Sequence, residues 1–273
     1  IWIGTDDGKV QLTRDNGGSW TDLTPVLVRA GAPVDRWVSR LFASPHDPDV
    51  AFVSKNGFRN DDFKPYLYRT THGGRSFTPN TGNLPSSPIN VLIHAKRKAH
   101  FVNDGNDLGV YVSIDDGAHW SRMKSNLPTV AVHDLVVHPR EADLVLATYG
   151  RALFVGDVSP LQKLTPDVLN RPVHLFDVEP KTRWGFGGQG MNYQLYGNKY
   201  IQVPNEPEGL TVNFYLKAAA SEWARLTVLD TGGRTVTQAS TPGRAGLNRV
   251  LFGFAGGRGG RGGGGANTLE PGQ

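Results

Sequence analysis

The 273-residue chain is 38% apolar and 10% aromatic, enough to pack one large or two ordinary domains, which excludes a disordered protein. Its 34 Gly and 18 Pro are spread along the chain between short apolar runs; this favours many strands and tight turns and points to an all-β class. Without cysteine there are no disulfides or thiolate metal sites, no apolar run approaches the roughly 20 residues of a membrane helix, and a net charge of +4 is too small to argue for nucleic acid.

In chain order, Ile1 to Gly4 reads as a strand, and Thr13 to Trp20, TRDNGGSW, as a hairpin turn. The turn recurs as TTHGGRSF at Thr70 to Phe77 and as SIDDGAHW at Ser113 to Trp120. The shared pattern is hydroxyl-x-Asp-x-Gly-x-x-aromatic. Asp15, Gly17 and Trp20 carry it first, then His72, Gly74 and Phe77 with His in place of Asp, then Asp115, Gly117 and Trp120. An Asp after a strand accepts hydrogen bonds from its own turn, Gly supplies a positive φ, and the aromatic packs back over the hairpin. These nine residues are therefore read as structural staples, not as catalytic groups.

Each copy follows strand-like runs. VSRLFAS (Val38 to Ser44), VAFVS (Val50 to Ser54) and YLYRTT (Tyr66 to Thr71) lead to SFTPN; INVLIHA (Ile89 to Ala95), HFVND (His100 to Asp104) and GVYVSID (Gly109 to Asp115) lead to HWSRM. Four short β-rich pieces per copy, and copies 57 and 43 residues apart, match four-stranded antiparallel propeller blades. Residues 1–157 then hold an incomplete blade before Val26, two full blades, and a partial one from Ala131 to Val155. Closed rings usually have four to eight blades, so the expectation is a fragment whose upstream blades lie elsewhere in the same protein.

The motif resembles the Asp-box, or bacterial neuraminidase repeat, of sialidases, some endoglucanase propellers, photosystem II assembly factors and sortilin. RNDDFKPYLYRTTHGG (Arg59 to Gly74), NLPTVAVHDLVVHPREADLVLATYGRALFVGD (Asn126 to Asp157) and SPLQKLTPDVL are most similar to bacterial secreted or periplasmic proteins with a sortilin-type propeller, labelled glycosyl hydrolase-like. The resemblance implies an extracellular or periplasmic location. Relatives are expected to carry Thr-His-Gly-Arg in the second stretch, where this chain has Tyr149 at the His position.

After Asp157 the composition changes. Residues 158–200, interrupted by Pro and Gly, are read as a surface-crossing linker. In residues 201–273, GLTVNFYLK (Gly209 to Lys217), ARLTVLD (Ala224 to Asp230), RTVTQAS (Arg234 to Ser240) and GLNRVLFGF (Gly246 to Phe254) read as strands. The resemblance implies a small Ig-like β-sandwich here. About seven strands make a sandwich and four are visible, so it is expected to be incomplete. The Gly-rich run AGGRGGRGGGGANTLEPGQ has only two Arg and no interleaved aromatic. It is read as an insertion or tail, not an RNA-binding segment.

The candidate binding cluster is Arg59, Asn60, Asp61, Asp62 and Lys64, joined by Asp104 and Asp107 in NDGND, the corresponding loop of the next blade. Asp61 and Asp62 either hold a sugar, cation or partner, or cap their turn and pair with Arg59 or Lys64. If the protein is an enzyme, they are the catalytic candidates, since glycosidases work with paired carboxyls. NDGND invites a calcium reading but lacks the later Glu of an EF-hand, and a plain β-turn is the simpler account. The His residues are scattered, with His46 and His138 in turns and His133 and His174 in strand-like runs, and no metal or cofactor is expected. The function expected is a non-catalytic propeller module binding protein or peptide, within a larger assembly or alone; the alternative is a glycoside hydrolase, sialidase-like or endoglucanase-like, acting on polysaccharide.

Overall fold

The computed structural model describes residues 1–96, 98, 100–124, 126–181, 209–254 and 268–269. The chain divides into two compact units, Ile1–Lys163 and Leu164–Gln273.

The first unit is a succession of antiparallel meanders. Strands β1 (Trp2–Gly4), β2 (Val10–Leu12) and β3 (Thr21–Asp22) form one sheet, and a short helix α1 (Thr24–Arg29) leads out of it. Strands β4 (Trp37–Ala43), β5 (Ala51–Gly57), β6 (Asp62–Thr70) and β7 (Thr78–Pro79) form the second. β8 (Ile89–His94), β9 (Val102–Asn106), β10 (Gly109–Ser113) and β11 (Ser121–Arg122) form the third, and β12 (Val132–Val137), β13 (Asp143–Thr148) and β14 (Leu153–Asp157) the fourth. In every sheet the spatial order follows the sequence. The unit is a partial β-propeller of four blades.

Three apolar clusters join the blades in series. Val10 and Leu12 of the first meet Val53 and Tyr68 of the second. Phe52 and Leu67 of the second meet Leu92, Val102 and Tyr111 of the third. Val91, Ile93, Val110 and Val112 of the third meet Leu135, Leu144 and Leu146 of the fourth. Because side chains alternate along a strand, β5 sends Val53 to one interface and Phe52 to the other, and every residue of the strand is buried. An inner blade is therefore buried on both faces, and polar residues such as Ser54, Lys55, Asn103 and Asp104 are enclosed along with the apolar ones.

The repeated turn joins the last two strands of the first, second and third sheets. In the first copy Thr13 Oγ1 donates to Asp15 and accepts from the Gly17 N–H at 2.8 Å, while Asp15 accepts from the Ser19 N–H at 2.8 Å and the Ser19 hydroxyl at 2.6 Å. Ser113, Asp115, Gly117 and His119 repeat the same bonds. Gly17 and Gly117 stand at φ 100° and 89°, the left-handed region in which glycine meets no Cβ penalty. In the middle copy Thr70 still accepts from Gly74, but among the described residues the His72 side chain reaches only the Ser76 and Thr71 hydroxyls, at 3.2 and 3.3 Å. The aromatics differ too: Trp120 is 4% exposed and Phe77 is buried, whereas Trp20 is 40% exposed.

Beyond β14, α2 (Ser159–Gln162) closes the first unit, with Val158 and Leu161 against the cluster between the third and fourth blades. The second unit starts with α3 (Pro166–Asn170), whose Val168 N–H is capped by the Thr165 hydroxyl. β15 (Val173–Leu175), β16 (Gly209–Leu216), β19 (Gly246–Phe254) and β20 (Thr268–Leu269) make one sheet; β17 (Trp223–Leu229) and β18 (Thr235–Pro242) make a hairpin. Asp230 closes that hairpin by accepting from the Gly232 and Arg234 N–H groups. Val212, Phe214, Ala239, Val250 and Phe252 are its buried core. Residues 159–175, read as linker, thus carry two helices and a paired strand. Residues 182–208 and the Gly-rich residues 255–267 lie outside the described residues.

Candidate functional site

In a meander the turns between second and third strands share one end of the blade with the crossings to the next blade. At this end the first blade contributes Thr5–Lys9, the second Phe58–Asp61, the third Asp107–Leu108 and the fourth Tyr149–Ala152. The first turn packs on the crossing that precedes β4: a Cβ at Gly8, φ +85°, would lie 2.5 Å from the Val34 carbonyl oxygen and 2.6 Å from that of Arg36. Beside it Lys55, fully buried, donates from Nζ to the Pro33 carbonyl at 2.6 Å. Burial holds its amine below the usual lysine range.

The second blade supplies the centre of the site. After Gly57 the chain makes one 3-10 turn, Phe58–Asn60, closed by Asp61 in the left-handed conformation at φ 54°, which Asp tolerates better than most residues. This turn lays the Arg59 guanidinium over the Trp37 ring, 4.6 Å from its centroid, with Phe58 edge-on to Trp37 at 5.4 Å. Among the described residues no ion pair joins Arg59 or Lys64 to an acid. Asp62 pairs with a cation that the sequence did not single out: Arg36 Nε lies 3.4 Å away, and Tyr66 donates its hydroxyl at 2.7 Å. Burial pushes the Asp62 carboxyl up, but Tyr66, the Lys64 N–H and Arg36 outweigh it and hold the group below its ordinary value. Asn60 and Asp61 are exposed and unengaged by side-chain bonds among the described residues.

NDGND is not a loop. Asn103 to Asn106 lie within β9, and the turn into β10 is the two residues Asp107 and Leu108. Asp107 is exposed, accepting from Asn90, which in turn accepts from Asn56 of the second blade. Asp104 is fully enclosed. Among the described residues only Asn106 donates to it and its Oδ1 has no partner, and burial pushes its pKa up to about 8 despite that bond. Asp104 and Asp107 are thus two different kinds of group, and Asp104 does not converge on the exposed cluster.

In the fourth blade Tyr149, 75% exposed, stacks on His133 with centroids 5.3 Å apart. Arg40 on β4 reaches Asp134 on β12 at 3.3 Å. Among the described residues no three His, Cys, Asp or Glu come together as a metal site.

No family model and no curated protein matches the sequence. Solved structures resemble it in fold at low identity. A YCF48 bound to D1 peptide shares 17% identity and a TM-score of 0.42 over 58% of this chain and 46% of its own. The GH74 xyloglucanase from Xanthomonas campestris shares 12% identity and a TM-score of 0.47 over 92% and 43%, and an ancestral GH74 enzyme 14% and 0.47 over 89% and 31%. The chain spans less than half the length of each.

Proposed function

We propose that the blade unit is a non-catalytic binding module of the sortilin-like, Asp-box type, extracellular or periplasmic, which takes a protein or peptide partner on the end of the blades built around Arg59. The observation that carries this reading is the state of the charged groups there. Arg59 is exposed, stacked on Trp37 and free of any carboxylate among the described residues, so its donors are preorganised for an incoming acceptor with an apolar group beside it. Asp62, the carboxyl best placed to act as an acid, is instead tied to Arg36 and Tyr66 and kept ionised. A glycosidase acid needs its pKa raised in contact with substrate. Asp104 has a raised pKa but no access to substrate.

The test is a pull of immobilised peptide libraries against the protein and its Arg59→Ala variant, run beside a polysaccharide panel with Asp61→Asn and Asp62→Asn. Binding by the wild type that falls at least about tenfold in Arg59→Ala, a loss of roughly 1.4 kcal/mol, together with no turnover, supports the module. Polysaccharide turnover abolished by either Asn substitution makes the protein a glycoside hydrolase and ends this reading.

A further inference from the structure

Three acids border the Arg59 platform, and Arg36 decides what two of them do. Asp35 precedes Arg36 on the crossing into β4, Asp61 closes the turn that carries Arg59, and Asp62 opens β6. Arg36, next in sequence to Trp37, serves the first and the last: its Nη1 donates to Asp35 at 2.6 Å, and its enclosed Nε faces Asp62 Oδ2 at 3.4 Å. The Arg36 and Asp62 side chains are only 17% and 18% exposed, so their attraction is screened less than that of a surface pair. The fold makes room for this contact at Gly57, where a Cβ would lie 2.9 Å from the Asp62 Cβ and backbone oxygen and 3.0 Å from Arg36 Nε. Tyr66 holds the same carboxyl, donating its hydroxyl at 2.7 Å. Among the described residues, the charged groups of this cluster with no ion pair are then Arg59 and Lys64 on one side and Asp61 on the other. The excess is of donors.

We infer that Arg36 sets the sign of the charge accepted at this end of the blades, and that the partner is a peptide segment with side-chain carboxylates beside an apolar residue. The inference rests on the peptide-binding reading and says which peptides are taken. The guanidinium of Arg59, laid flat on Trp37, presents a planar fork that matches a carboxylate, and the half-exposed Phe58 beside it supplies an apolar neighbour. Without Arg36, Asp35 and Asp62 would set two uncompensated carboxylates next to that fork and repel an acidic partner. The two members of the pair therefore have opposite effects on specificity. Loss of Arg36 releases two acids, whereas loss of the Asp62 charge removes one acid and leaves Arg36 as a further donor. A pair that served only to hold the turn in shape would make the two substitutions act alike.

The test measures, by fluorescence anisotropy with the full chain, two pools of short end-blocked peptides that are identical except for Glu or Lys on either side of a fixed Leu. The wild type should favour the Glu pool by at least about tenfold, Arg36→Met should bring the pools to within about threefold, and Arg36→Met/Asp62→Asn should recover most of the preference. Asp62→Asn alone should keep or widen it. Gly57→Ala, which alters no charge but crowds the pair, should narrow it. Far-UV circular dichroism identifies any variant that fails to fold, and if Arg36→Met is one, the opposite shifts expected of Asp62→Asn and Gly57→Ala decide. Equal affinity of the wild type for both pools overturns the inference, as does a preference that Arg36→Met leaves intact or that Arg36→Met and Asp62→Asn lose alike; in each case the binding module stands. No binding of either pool overturns it too, and the library screen with Arg59→Ala then decides whether the binding reading falls with it.

Discussion

Arg59 and Asp104 show how little a residue type says without its surroundings. Both stood in the polar stretches that composition marked as binding loops. The structure puts Arg59 on an aromatic ring at the surface and Asp104 in a sealed interface. The raised pKa of Asp104 has a consequence for stability. Its carboxyl titrates near the ordinary 3.8 when unfolded and at about 8 when folded, so between those values the folded state holds the extra proton and stability falls as pH rises. Asp104→Asn, which keeps the shape and cannot ionise, should therefore raise the melting temperature more at pH 8 than at pH 5. Equal gains at both values would mean that the carboxyl is not the group that titrates. His72 invites the opposite substitution. In the flanking copies an Asp accepts the N–H four residues on, and the imidazole makes no such bond. His72→Asp should add that bond and stabilise by about 0.5 to 1.5 kcal/mol in a denaturant titration.

At the scale of elements, the repeated turn is a structural part with a measurable load. Trp120 belongs to the cluster between the second and third blades, so Trp120→Ala should cost about 3 to 5 kcal/mol by chemical denaturation. Trp20, at the same place in the motif but well exposed, should cost far less, and equal losses would show that the aromatic acts within its own hairpin and not through the interface. This is also where the sequence was and was not legible. The four strands of the second and third blades were readable because apolar runs, Gly and Asp repeat in constant phase. The second half of β9 was the exception: in the sequence the strand reads as ending at Asp104, because Asn-Asp-Gly-Asn has the composition of a turn. It is a strand because the ladders with β8 and β10 claim its backbone and the fourth blade leaves space only for a glycine at position 105. Arg36 and Asn90 were missed because each reaches a residue of another segment, and no local pattern encodes such a partner; Tyr66 meets Asp62 four residues back on its own strand, a same-face neighbour that alternation along β6 could have shown.

At the scale of the whole molecule, the four apolar clusters sort by unit. The three that join blades lie within residues 1–163, and the cluster of Val212, Phe214, Val250 and Phe252 lies within the second unit. Cooperative unfolding follows the shared core, and units with separate cores need not melt together. Calorimetry of the full chain should accordingly show two transitions. Trp120→Ala should lower one and leave the other in place, while Phe252→Ala, which empties a fully buried site in the second core, should lower only the second. The argument turns on which transition moves with which substitution, because two overlapping peaks in the wild type can hide independence that the variants reveal. If both substitutions lower a single transition by comparable amounts, the cores are coupled, and the partition of the chain at Lys163 describes geometry without describing how it folds.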